Sequence, residues 1–111
     1  MDSGDCDPSI GCDKVTDAAD KALCVALDKC MRTTGCWSLD PLDCLCGTAK
    51  GTACASTAAN GACKAEIQAA TKTIDPVANG TLFYSVTVPA GFATQQSACD
   101  RDICPTQCKF P

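Results

Sequence analysis

Between residues 15 and 30 the apolar positions recur at intervals of three and four: Val15, Ala19, Leu23, Ala26 and Cys30. That period predicts an amphipathic helix from Thr16 to about Arg32. Thr16 is its expected cap, Asp17 and Asp20 fall in its first turn, and Gly35 is its expected stop. Asp17–Lys21 and Asp28–Arg32 are spaced for i,i+4 ion pairs. Asp40-Pro41 followed by Leu42, Asp43, Cys44, Leu45, Cys46 and Gly47 has the order of cap, first-position proline, a turn or two and a glycine end, so a short helix is predicted there. A second brief helix is expected over Thr52–Ala58. Asn60-Gly61 then breaks the chain, and Cys63, Ile67, Ala70 and Ile74 form the stripe of a helix over Ala62–Thr73, which Asp75-Pro76 is expected to end.

At residue 81 the period changes. Leu82, Tyr84, Val86 and Val88 alternate with Thr81, Phe83, Ser85 and Thr87, which predicts a strand over 81–88 closed by Pro89. A last helix is expected from about Ala93 to Ile103, with Phe92, Cys99 and Ile103 on one side. The fold expected is a mainly α, small disulfide-rich single domain with three to four short helices and one extended strand-like segment. Its parts are an acidic arm (1–14), a helical cysteine-rich block (15–75), an extended segment (76–91) and a C-terminal helix and latch (92–111).

Composition changes this picture in one respect. More than half of the apolar residues are Ala or Cys, so few large side chains remain to offset the entropy of ordering 111 residues. Cross-links are expected to supply the difference. Twelve cysteines, an even number, mark a disulfide scaffold formed in an oxidising compartment. All twelve are assigned to disulfides: Cys6, Cys12, Cys24, Cys30, Cys36, Cys44, Cys46, Cys54, Cys63, Cys99, Cys104 and Cys108. Cys24 and Cys30, six apart on a helix, lie about 9 Å apart along the axis and point about 120° apart, so each must reach a different element. Cys44 and Cys46 are too close to bond each other and are expected to reach separate partners. The opening Met1-Asp2-Ser3-Gly4-Asp5 has neither the basic start nor the apolar run of an export signal and is read as the start of a mature segment.

The net charge is −4, and its acidity is concentrated in residues 1–28, where Lys14 and Lys21 face a large excess of Asp. No basic face or Arg-rich run is present for nucleic acid or an anionic membrane, and no window is apolar enough to span one. The chain contains no histidine, which removes Ser-His and Cys-His nucleophile pairs and mixed Cys/His zinc sites. It also lacks any C-x-x-C, so neither a metal nor any other cofactor is expected. Asp40/Asp43 and Asp100/Asp102 are the carboxylate pairs available for glycosidase chemistry, but helix capping and surface charge account for them more simply. Asp2, Asp5, Asp7 and Asp13 fail the spacing of a calcium loop. Asn79-Gly80-Thr81 is a glycosylation sequon, or a turn if the source is bacterial.

The motifs C-M-R-T-T-G-C (30–36), C-L-C-G-T-A (44–49), N-G-A-C-K-A-E-I (60–67) and C-D-R-D-I-C-P-T-Q-C (99–108) resemble a cysteine-rich segment of predicted secreted proteins of gliding soil bacteria. The resemblance covers about residues 24–108. It implies a bacterial exported protein and carries no activity, ligand or catalytic residue.

These readings make the chain a non-enzymatic extracellular binding or structural module, secreted or at the cell surface. Its expected partner is a protein, either another extracellular protein or a second copy in a homo-oligomer or filament. The residues expected to meet that partner are Leu82, Phe83, Tyr84, Val86 and Val88, through strand addition along 81–88, together with Trp37. For Trp37, packing over a disulfide in the core is the simpler reading. A small secreted effector, either a toxin or an enzyme inhibitor, is the alternative on the same stapled scaffold.

Overall fold

The computed structural model describes residues 11–37, 40–49 and 51–102; the side chains of 51 and 99–102 are outside the description. Helix α1, Ala18–Thr34, starts at Asp17, whose carboxylate accepts the Asp20 amide at 2.9 Å. It stops at Gly35, which takes the left-handed conformation (φ 64°) that a side chain would strain. The cap is therefore Asp17, one residue beyond the expected Thr16. With its carboxylate engaged there, Lys21 pairs with Asp13 at 3.8 Å rather than with Asp17. The Asp28–Arg32 pair forms at 3.1 Å.

The buried face of α1 is Cys24, Leu27, Asp28 and Met31. The expected stripe was rotated from this: Leu23 and Cys30 lie at its half-buried edge, and Ala19 and Ala26 face outward. Alanines are apolar enough to complete a periodic pattern and too small to anchor one. The carboxylate of Asp28, which sits in the true face, disguised it.

One side of α1 packs on α5, Pro89–Asp102, and another on α3, Lys64–Thr71. Phe83, Leu27, Met31 and Ile67 are fully buried at this junction, together with Cys24, Cys44 and Cys63. Two smaller helices complete the fold: α2, Asp43–Cys46, and α4, Pro76–Leu82. The backbone amides of Asn60, Gly61 and Cys63 donate to the carbonyls of Cys46, Leu45 and Cys44 at 2.9–3.1 Å, and these bonds hold the single turn of α2 in place. Short 3-10 turns occupy Cys12–Lys14 and Gly51–Ala53.

Four disulfides join described residues: Cys12–Cys24, Cys30–Cys63, Cys36–Cys44 and Cys46–Cys54. Cys24 and Cys30 reach different elements, and so do Cys44 and Cys46. The Cys30–Cys63 bond closes a loop of 33 residues, a constraint of about 3–4 kcal/mol on the unfolded chain in the loop-entropy picture. Cys6, Cys104 and Cys108 lie outside the described residues, as does the Cys99 side chain.

Several expectations are corrected. The segment 81–88 is not a strand: Thr81 and Leu82 belong to α4, the following residues run through turns, and no strand occurs among the described residues. The boundary 76–91 fails with it, because α4 begins at Pro76 and α5 at Pro89. Asp75 accepts the Val77 amide at 3.3 Å and Pro76 occupies the first helical turn, so Asp75-Pro76 starts a helix rather than ending one. Helix α3 instead ends at Lys72, a left-handed residue (φ 61°). That reversal throws Ile74 out of the stripe to 79% exposure. The helix expected over Thr52–Ala58 is a 3-10 turn followed by irregular turns; small residues with no anchoring side chain leave its conformation to the Cys46–Cys54 bond.

Candidate functional site

Helix α4 stands across a groove from α2 and the segment that follows it. Position Asp75-Pro76 begins α4 and sets its rotation, so Val77, Gly80 and Thr81, at i, i+3 and i+4, share the face turned to the groove. On the opposite wall α2 presents Leu42, Asp43 and Leu45, and Ala49 and Ala55 continue it around the Cys46–Cys54 disulfide. The groove encloses about 510 Å3, within the range of pockets that take a small ligand or a few partner side chains. Val77 is 61% exposed at its rim. A Cβ built on Gly80 would meet nothing within 4 Å, so the space beside this lining residue is open.

Two disulfides and a hydrogen-bonded loop fix the α2 wall. Cys36–Cys44 ties α2 to the segment after α1, and Cys46–Cys54 ties its far end to the following turn. The side chain of Asn60 clamps the loop between them, accepting the Thr48 amide and donating to Thr48 Oγ1, both at 2.8 Å. On the α4 side, Asn79 is 1% exposed and its amide donates to Thr71 Oγ1 at 2.8 Å and to the Thr73 carbonyl at 2.7 Å. The sequon asparagine is thus a buried structural residue in the folded chain.

The site carries negative charge. Asp43 lines the groove and accepts the Asp40 amide at 3.2 Å. Asp40 in turn accepts the Leu42 amide at 2.8 Å and the Tyr84 hydroxyl at 3.0 Å. Tyr84 is 47% exposed; the partial burial of its phenol, then the hydrogen bond to Asp40 and the nearby charges of Asp40 and Asp43, hold it above its ordinary pKa. Tyr84 therefore stays protonated and keeps donating. No Lys or Arg is among the described residues lining the groove.

The residues expected to meet a partner do not form one face. Phe83 is fully buried in the core, Leu82 and Val88 are half-buried, and Tyr84 and Val86 are exposed. Trp37 is half-buried and packs against the core cluster, the alternative its sequence context left open. Reasoning from the sequence passed over the groove residues Leu42, Leu45, Val77 and Gly80. The signal for them was the repeated Asp-Pro: given a helix start at Asp75-Pro76, the spacing of Val77, Gly80 and Thr81 places them on one face.

Fold and site together define a small, helical, disulfide-stapled domain with a pre-formed acidic–apolar groove. No helix among the described residues is long and apolar enough to cross a membrane. No family model, curated protein or solved structure matches the chain.

Proposed function

We propose that this chain is a non-enzymatic extracellular binding module, and that its groove between α2 and α4 takes an apolar, positively charged segment of a partner protein. The observation that carries the reading is the groove's lining, in which apolar side chains from α2, α4 and the segment after α2 share one surface with the Asp43 carboxylate. Asp40, three residues before Asp43, and Asp75, the cap of α4, add carboxylates next to the elements that line the groove. A segment with aliphatic side chains bearing a Lys or Arg suits both features, burying methyl groups and placing its charge near the carboxylates of Asp40 and Asp75. The α2 wall, pinned by two disulfides, loses little freedom on binding, which lowers the cost of association. The extracellular setting rests on the cysteine content. Strand addition along 81–88 has no extended segment to use, so the binding role falls to the groove.

The test is a titration of isotope-labelled protein with an amphipathic Leu/Lys peptide and a matched Leu/Glu peptide, followed through the Val77, Leu42 and Leu45 methyl signals. The Lys peptide is expected to shift those signals and the Glu peptide to leave them unchanged. Gly80→Trp, which fills the open space at that point of the groove, is expected to abolish the shift with thermal stability no lower than that of the unaltered protein. Equal response to both peptides, or binding that survives Gly80→Trp, overturns the proposal. Light scattering on the free protein tests for a second copy as occupant: a dimer dispersed by Gly80→Trp would replace the partner segment with the chain itself.

A further inference from the structure

Away from the groove's floor, the disulfides Cys30–Cys63 and Cys36–Cys44 lie against each other. Their nearest sulfurs, Cys36 Sγ and Cys63 Sγ, are 3.5 Å apart. That is contact between sulfurs that are not bonded to one another. The sulfurs of Cys36, Cys44 and Cys63 all fall within 4.8 Å of one another. Exposure across the cluster is graded: Cys44 and Cys63 are fully buried, whereas Cys30 and Cys36 are half-buried. Cys30 Sγ lies at the surface, 3.7 Å from the Ala62 carbonyl oxygen. Cys63 is the residue at the head of α3, and its sulfur lies 3.7 Å from the Thr34 hydroxyl.

We propose that this four-sulfur cluster is a thiol–disulfide exchange site, opened through Cys30 by a thiol of low molecular mass. The incoming thiolate attacks Cys30 Sγ. A bond forms between them, the Cys30–Cys63 bond breaks, and its electron pair leaves on Cys63 Sγ. A thiolate at Cys63 is favoured by the amide end of α3 and by the Thr34 hydroxyl, which can turn to donate to it. Freed from Cys30, the Cys63 sulfur can swing about its χ1 into line with the Cys36–Cys44 bond it already touches. It attacks Cys36 Sγ, the Cys36–Cys63 bond forms, and Cys44 leaves as the thiolate and takes up a proton. Two disulfides are present before and after, one thiol is consumed and one appears, so no oxidant or reductant is needed.

The exchange has a structural result. Cys44 is the residue that ties α2 to the segment after α1, and the new Cys36–Cys63 bond transfers that tie to the head of α3. One of the two disulfides that pin the α2 wall of the groove is thereby lost, while Cys46–Cys54 and the chain's other cross-links stay. This inference does not depend on what the groove holds.

Two variants and the unaltered protein test it. Cys30→Ser leaves Cys63 without its partner, and Cys44→Ser does the same to Cys36. Each is folded under oxidising conditions, acid-quenched and cleaved without reduction by trypsin and an Asp-specific protease. Cleavage after Arg32 separates Cys30 from Cys36, and cleavage at Asp40 and Asp43 separates Cys36 from Cys44. Both variants are expected to carry the Cys36–Cys63 bond, with the free thiol on Cys44 in the first and on Cys30 in the second. Because Cys46–Cys54 keeps the peptides that bear residue 44 and Cys63 together, the bond and the thiol are located by tandem fragmentation of that complex. Retention of Cys36–Cys44 in the first and of Cys30–Cys63 in the second overturns the proposal. The unaltered protein, incubated with reduced glutathione and then alkylated, is expected to carry glutathione on Cys30 and the alkyl group on Cys44. An alkyl group on Cys63 instead shows that the second transfer does not occur, and overturns the proposal even if neither variant folds.

Discussion

Ser97 on α5 donates its hydroxyl to the carboxylate of Asp28 on α1 across 2.7 Å, with the serine fully buried and the aspartate nearly so. The bond joins the two longest helices at their packed face. Arg32, one turn along α1, holds the other carboxylate oxygen at 3.1 Å. A buried carboxylate survives there because its oxygens are met by a donor and a cation.

Replacing Ser97 with Ala removes that donor from a buried carboxylate. The expected cost is about 1–3 kcal/mol of stability, read as a lower guanidinium midpoint at unchanged slope. Unchanged stability would show that water or another group takes over the bond.

Asn79 makes a second buried polar link, and Asn79→Ala strips donors from both Thr71 Oγ1 and the Thr73 carbonyl. The expected loss is again about 1–3 kcal/mol, measured by chemical denaturation. Because the amide is enclosed, attachment of a glycan to the folded chain is not expected. A folded, glycosylated Asn79 detected by mass spectrometry would contradict the burial described above.

Gly80 sits within α4 with open space where a side chain would go. Gly80→Ala is expected to raise stability by about 0.5–1 kcal/mol by restricting the unfolded chain. A rise in melting temperature with the Val77 methyl signal in place checks this. A fall would mean that the groove is closed in solution.

Tyr84 is the single tyrosine of the chain, so its ionisation can be followed by ultraviolet absorbance without interference. Its pKa is raised by burial and by Asp40, so the folded state holds the phenolic proton more tightly than the unfolded state does. The stability linked to this group is therefore fully present below pH 10, the ordinary tyrosine value, and is lost as pH rises above it. Tyrosinate absorbance is expected to appear only above the ordinary range. Asp40→Asn, which removes a charge and keeps a hydrogen-bond acceptor, is expected to move the onset down. An onset at the ordinary value in the unaltered protein would show that the Tyr84–Asp40 bond does not persist in solution.

The sequence by itself determined the helical, disulfide-bonded class of this protein. A chain with many Ala and Cys and few large apolar side chains cannot hold itself together by burial, and the cysteine count states the remedy. Local chemistry was equally legible: Gly35 stops α1 because its backbone must turn left-handed, and the Asp40-Pro41 signal announces the turn of helix before Gly47, although that helix starts at Asp43 with Leu42 as its cap rather than at Pro41. Tertiary structure decided the rest. The alternation over 81–88 fits a strand when nothing else is known, but a lone strand has no partner for its backbone groups, whereas a helix satisfies its own. Phe83 then enters the core from the end of α4, and Thr94 on α5 donates to the Phe83 carbonyl at 2.9 Å. Gly91 lets the α5 backbone lie against the Ser85 and Val86 turn, where a Cβ would collide. Asp75-Pro76 carries the same local signal as Asp40-Pro41, and only the left-handed residue Lys72 shows that one helix has ended and another is starting. The pairing of cysteines and the groove both depend on distances between segments remote in sequence, and periodicity within a segment carries no information about those distances.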